Sequence, residues 1–234
     1  MNDHHVPDGE QAGAGSALDR AGAVFMPLMS RRYLRELARY RVLLGSGTRI
    51  PPDRAEVLVR WWELLTAVMT GHHRAMSEVF WELLRSKEPE FEGVVATMNL
   101  RYGLVGTSRS EAGRDLTQAL RAGGSPGSAQ LSFIRYHEEM SATSFWEERE
   151  IAPRALRCFS ADEWRQVESY VLAVQAAEDR LGHVLPWLLD GMPAERSDAV
   201  FAAFPPHMVR TYRSEWLPAY ERFSARAWPR QGGS

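Results

Sequence analysis

At 234 residues, with 28 basic against 30 acidic side chains and a formal net charge of −2, the chain is long enough for a well-buried core and lacks the broad basic surface that nucleic acid requires. Apolar residues at 44% and charged residues at 25% are ordinary proportions for a globular protein. One cysteine, Cys158, rules out an intrachain disulfide framework and suits a reducing compartment. No apolar run approaches the roughly 20 residues that span a bilayer. The polar, Gly-rich opening MNDHHVPDGEQAGAGS lacks the basic-then-apolar order of a signal peptide, so the expectation is a cytoplasmic protein without a membrane or nucleic-acid partner. Residues 1–23 are expected to form a disordered tail, and His4 and His5 within it are assigned no role.

Helical spacing dominates the rest of the chain, with little of the strict alternation of strands. A first helix is predicted from about Leu28 to Leu44, stopped by Gly45-Ser46-Gly47. After Pro51-Pro52, Asp53 with Glu56 reads as a capping box opening a second helix. That helix places Trp61, Leu65, Val68, His72, Met76, Val79 and Leu83 on one stripe, so His72 points into the core and His73 lies on its flank. A third helix begins near Glu90, with Phe91, Val95, Met98, Tyr102 and Val105 inward, and ends by Gly123-Gly124. A fourth, from Ser128 to about Arg157, aligns Phe133, Tyr136, Met140, Thr143, Glu147 and Ile151, with a kink expected at Pro153. Ser160 and Glu163 form a second capping box, opening a helix predicted to run to Leu189 and to close at Asp190-Gly191. The last helical segment, Ala194 to Ala227, is interrupted at Pro205-Pro206 and Pro218. No internal repeat or domain boundary is visible, and short connections between long helices favour antiparallel neighbours.

Three stretches carry a family resemblance: HHRAMSEVFWELL (72–84), TMNLRY (97–102) and FWEEREIAPRALRCFSADEW (145–164), continued by LPWLLDGMP (185–193). On these the chain resembles the hemerythrin-like (HHE cation-binding) family over residues 24 to 225 or so. The resemblance implies an all-α, up-down antiparallel four-helix bundle over 24–190, a helical extension over 191–227 packed on it, and a flexible tail over 228–234. It also implies two iron ions held by histidines and carboxylates, because residues at i and i+4 offer an imidazole and a carboxylate to one ion. Carried over position by position, much of that set is missing. His72 stands at the second-helix histidine, but Met76 stands where its carboxylate partner belongs. Tyr102 replaces the third-helix histidine, Thr143 the fourth-helix histidine, and Ser30 lies near the first. Glu147 keeps the fourth-helix carboxylate. The expectation is therefore no metal, with iron entering only if this ligand count misleads.

What remains is a candidate small-molecule pocket. His72 and Glu147 are the candidate catalytic pair, either hydrogen-bonded to each other as a structural relic or used for acid–base chemistry on an organic substrate of specialised metabolism. Met69, Met76, Met98, Tyr102, Met140 and Thr143 are the candidate pocket lining, against the plainer reading of the methionines as core filling. A second reading is a non-catalytic partner or sensor protein, with Tyr212, Trp216, Tyr220 and Trp228 supplying an outer surface or a homodimer contact. A third is the family's iron-dependent oxygen or redox chemistry. Asp179 and His183 are the one intact acid–imidazole pair at i, i+4 spacing.

Overall fold

A computed structural model of the chain describes residues 25–121, 127–202 and 204–229, all of its regular elements being helical and no strand occurring among them. The tail expected over 1–23 and most of the turn at 123–127 lie outside the described residues. The first described helix, α1 (Phe25–Gly45), ends as its sequence predicts: the Ser46 N–H returns to the Val42 and Leu43 carbonyls, and Gly47 takes a positive φ of 63°. α2 (Pro52–Ala75) has Pro52 in its first turn and no side-chain cap. The expected Asp53–Glu56 capping box therefore does not form, since the proline opens the helix and Asp53 sits inside it, against the positive end of the helix dipole.

Two helices predicted as continuous are each interrupted by a wide π turn. Met76–Phe80 separates α2 from α3 (Trp81–Lys87), and a 3-10 turn at Pro89–Phe91 then leads into α4 (Glu92–Arg121). Glu147–Ile151 separates α5 (Gly127–Trp146) from α6 (Ala152–Cys158). There the Ala152 N–H reaches back five residues to the Glu147 carbonyl. Pro153, which has no N–H to continue an ordinary ladder, follows directly, so the predicted kink takes the form of a π turn. α7 (Ala161–Ala177) has both bonds of the predicted Ser160–Glu163 capping box. It stops well before Leu189: Asp179 adopts a left-handed φ of 53°, and the chain restarts as α8 (Leu181–Leu189). Asp179 and His183 thus share no helix face. α9 (Ala194–Phe201), α10 (Pro206–Thr211), a π turn at Tyr212–Trp216 and α11 (Leu217–Ala227) complete the order.

Side-chain contacts run antiparallel between α2 and each of α4 and α7. α2 and α4 meet from Glu56–Arg121 at one end to His73–Tyr102 further along. α2 and the π turn that follows it meet α7 from Gln175 on the Val68 carbonyl to Tyr170 on Glu78. Contacts between α1 and α5 include Gly45–Gln130, Arg41–His137 and the Tyr136–Tyr33 hydroxyl pair at 2.7 Å. Beneath these contacts Glu36, wholly buried, accepts hydrogen bonds from Arg35, Arg39 and the Trp61 indole and so ties α1 to α2.

The C-terminal aromatics turn inward. Tyr220 and Phe223 pack on Trp61 at 5.9 and 5.0 Å, Trp228 packs on Tyr40 at 5.1 Å, and Tyr212 and Tyr220 are buried. These rings pack on the core of this chain, with Trp216 and Trp228 partly buried at its edge. No helix among the described residues is long and apolar enough to cross a membrane.

One close approach is decided by glycine. A Cβ on Gly113 would lie 2.5 Å from Trp62 Nε1, and on its inner side the indole packs on Tyr40, Phe133 and Tyr136. Gly113→Ala is therefore expected to destabilise the fold by about 1–3 kcal/mol through overpacking, although alanine is the better helix former. A lowered urea midpoint with an unchanged slope would register it; an unchanged or raised midpoint would mean the indole is free to move.

Candidate functional site

The apolar core falls into two clusters. The larger takes in α1, α2, the second half of α4 and most of α5. The smaller gathers Met76, Phe80, Trp81, Val95, Met98, Ile151, Trp164 and Val167. Polar side chains occupy the level between them: His72 and His73 from α2, Tyr102 from α4, Thr143, Ser144 and Glu147 from α5 and its π turn, and Glu168 from α7. His72, Thr143, Ser144 and Glu168 are all buried.

Within this layer lies a cavity of about 60 Å³, walled by Ser30, His72, Met76, Phe80, Ser144, Glu147, Glu148, Ile151, Ala152 and Trp164. Both Met76–Phe80 and Glu147–Ile151 contribute to it, so the two π turns face each other across one space. Such widened turns recur at functional sites, where an extra residue in the ladder redirects the following side chains. Three wall groups have no hydrogen-bond partner although buried: His72 Nδ1, Ser144 Oγ and Trp164 Nε1. Each costs free energy in that state, and buried polar atoms are ordinarily paired. His183 Nδ1 and Trp187 Nε1, likewise unpartnered, flank a much smaller void of about 10 Å³ elsewhere. A larger concavity, about 1060 Å³, is an open groove between α2 and α4 around Thr66, Arg109 and Gly113, and none of those unpartnered buried atoms belongs to its wall.

Electrostatics separate the two titratable walls of the cavity. Burial lowers the His72 pKa to about 4, so the imidazole is neutral at pH 7. His73, stacked on the Tyr102 ring at 4.2 Å, is lowered further, to about 3, by burial, the neighbouring His72 and Arg109. Glu147 moves the other way: burial raises it to about 7, partly offset by the hydrogen bond that Tyr102 donates to its Oε1. Among the described residues no cation pairs with it, and Arg149 turns to Glu150. The carboxylic acid and carboxylate forms of Glu147 therefore coexist near neutral pH.

Of the residues expected at a pocket, His72, Met76 and Glu147 line this cavity, and Tyr102 reaches it through Glu147. Met69, Met98, Met140 and Thr143 do not line it. Met69 and Met140 belong to one apolar cluster, Met76 and Met98 to the other. Seven residues of helix separate Met69 from Met76, about 10 Å of rise, so the two cannot meet at one level. Nor does the expected His72–Glu147 hydrogen bond form: Glu147 is bonded to Tyr102, and His72 Nδ1 to nothing. Sequence reasoning missed Ser144, Phe80 and Trp164. Ser144 is four residues before Glu148 on the cavity face, and Trp164 lies one residue beyond the Ser160–Glu163 capping box, but their shared destination depends on how α5 and α7 dock.

The iron pair implied by the sequence resemblance would call for imidazoles and bridging carboxylates. Among the described residues no three His, Cys, Asp or Glu side chains gather at a spacing that could hold an ion. The positions that would complete the set, Ser30, Met76, Tyr102 and Thr143, offer hydroxyls and a thioether in place of imidazoles and bridging carboxylates. Compared with protein-family models, curated proteins and solved structures, the chain has no match, so the site's own geometry is the ground for a functional reading.

Proposed function

We propose that the chain is a hemerythrin-like helical bundle whose former metal cavity serves as a small-molecule site, acting as a cofactor-independent enzyme that moves protons on a compact organic substrate. The observation that carries this reading is the cavity bounded by two π turns, where three unpartnered buried polar groups and a carboxyl titrating near pH 7 share one wall. The antiparallel long helices and the place of Ser30, His72, Met76 and Glu147 around one space support the family part of it.

The two titratable residues take unequal parts. A general acid or base is most effective with a pKa near the operating pH. Glu147 meets that condition and is the proton carrier, held by Tyr102. His72, with its pKa near 4, is too weak a base at neutral pH and acts as a neutral hydrogen-bonding group toward the ligand. At about 60 Å³ the cavity admits only a few heavy atoms, well below the roughly 300 Å³ of a drug-sized pocket, so it receives a very small molecule or the reactive end of a larger one.

Screening compounds of up to about six heavy atoms by ligand-observed NMR tests the reading, alongside a ¹³C titration of the Glu147 carboxyl. The expected result is saturable binding weakened about tenfold or more in His72→Ala and Glu147→Gln, as for loss of a buried polar contact, with Glu147 titrating near pH 7 in the wild type. Hits bound equally by both variants, or a Glu147 carboxyl that titrates near 4.5, would remove the cavity from consideration.

A further inference from the structure

The unpartnered groups on the cavity wall differ in what they can offer. An indole N–H donates and never accepts. Neutral His72 has one N–H, and the hydroxyls of Ser144 and Ser30 can both donate. Acceptors are the lone pair of His72, the serine hydroxyl oxygens and the carboxyl oxygens of Glu147 and Glu148, one Glu147 oxygen already taking the Tyr102 hydroxyl. The unpartnered indole N–H of Trp164 can be met only by an acceptor atom on the ligand. No lysine or arginine lines the cavity, and Glu147 ionises there, so a full negative charge would be poorly compensated. Met76, Phe80 and Ile151 complete the wall with apolar surface. Neutral, acceptor-bearing, a few heavy atoms in size and partly apolar describes a carbonyl group with its adjacent carbon.

Resting on the small-molecule reading of the site, we infer that the cavity takes the carbonyl end of a ketone or aldehyde, with Trp164 and Ser144 donating to its oxygen while Glu147 removes a proton from the adjacent carbon. The carboxylate of Glu147 takes the proton, and the electron pair of the broken C–H bond forms the carbon–carbon double bond of an enolate. The carbonyl π electrons move to oxygen, where the indole N–H and the serine hydroxyl meet the developing charge. Donors aimed at charge that appears in the transition state are the most effective kind of stabilisation. The same carboxyl, now protonated, returns the proton to carbon. Protons and electrons balance within substrate and Glu147, no oxidant, reductant or cofactor enters, and the reaction class is enolisation or a ketone isomerisation proceeding through it. Tyr102 is a positioning residue, holding the carboxyl by one oxygen and leaving the other for the substrate.

Acetone, with four heavy atoms, is the probe. In D₂O near pD 7, ¹H NMR follows loss of its methyl protons, and the indole N–H signals of ¹⁵N-labelled protein follow binding in parallel. The expected result is a shift of one indole signal that saturates with acetone, and exchange about 100-fold or more faster than with Glu147→Gln, within the usual range for a positioned acid–base group. Ser144→Ala, which removes one hydroxyl, is expected to keep the fold and to slow exchange about tenfold or more. Exchange that persists in Glu147→Gln, or that Ser144→Ala leaves untouched, would overturn the assignment. Saturable binding without exchange would overturn the reaction while leaving the small-molecule site standing, and no acetone binding in a protein that binds other compact molecules would overturn the carbonyl class alone.

Discussion

Acidification from pH 6.5 to 4.5 is expected to weaken the fold, although the buried carboxyl of Glu147 works in the opposite direction. His72 and His73 have folded pKa values of about 4 and 3, below the 6.5 of the unfolded chain. Across this interval the unfolded state binds two protons that the folded state refuses, so the stability these residues allow is present above pH 6.5 and lost as the pH falls. Glu147 is held at about 7, above its ordinary 4.5, so in the same interval the folded state keeps one proton that the unfolded state has released. Its contribution is fully present below pH 4.5 and is lost as the pH rises through 7. The balance is one proton in favour of the unfolded chain, a slope of about 1.4 kcal/mol per pH unit at most. With partial exposure of His73 and Glu147 taken into account, the loss over the interval is about 1–2 kcal/mol. The half-buried His137 and His183, also lowered by burial, add to it in the same direction.

Urea midpoints at pH 4.5, 5.5, 6.5 and 8 measure this slope, and a double variant reduces it. In His72→Asn/His73→Asn those two imidazole protons are gone while Glu147, His137 and His183 remain, so stability between pH 4.5 and 6.5 is expected to rise less steeply with pH than in the wild type. A wild-type profile that is flat below pH 6.5 would mean that the imidazoles are hydrated and that the polar layer is open to water.

Glu36→Ala is expected to be among the most damaging single substitutions in the chain, costing about 3 kcal/mol. The carboxylate is fully buried and accepts from Arg35, Arg39 and the Trp61 indole N–H, at 2.9, 3.0 and 3.2 Å. Removing one member of a buried charged network leaves the others uncompensated, at about 3–5 kcal/mol when all are buried. Here both guanidinium groups are about a third exposed, at 29% and 34%, and can turn to water, which places the cost at the lower end. The indole N–H has no such escape, because Trp61 is enclosed by Tyr220, Phe223 and Trp228. Glu36→Gln, which keeps an acceptor for the indole, is expected to recover about half of the loss. Equal midpoints for Glu36→Ala and wild type would show the network to be energetically idle.

Much of the site was legible in helical periodicity. His72 on the apolar stripe of its helix and Glu147 on that of its own were readable because a 3.6-residue period assigns each residue a face; His72 is buried, Glu147 is partly exposed, and both line the cavity. The capping box at Ser160 and the stop at Gly45-Ser46-Gly47 were readable because each is a local exchange of hydrogen bonds within a few residues. The breaks were harder. A left-handed Asp179 in a run of good helix formers has no strong local signature, since aspartate tolerates that conformation without demanding it. The π turn at Met76–Phe80 contains no proline or glycine, whereas the one at Glu147–Ile151 is at least announced by Pro153.

The sequence by itself determined an all-helical chain, the inward faces of its long helices, and a deficit of metal-ligating residues at the positions where the family resemblance expects them. Tertiary structure decided the rest. Only the docking of α7 could bring Trp164 to the cavity, and only the depth of burial could set His72 near 4 and Glu147 near 7. The partner of Glu147 was likewise chosen in three dimensions, as Tyr102 on α4 rather than His72. Local pattern fixes which side of a helix a residue occupies, because that depends on the spacing of neighbours along the chain. Which side chains meet at one level, and how far water is kept from them, depends on the relative shift of helices distant in sequence, and no short-range periodicity encodes that shift.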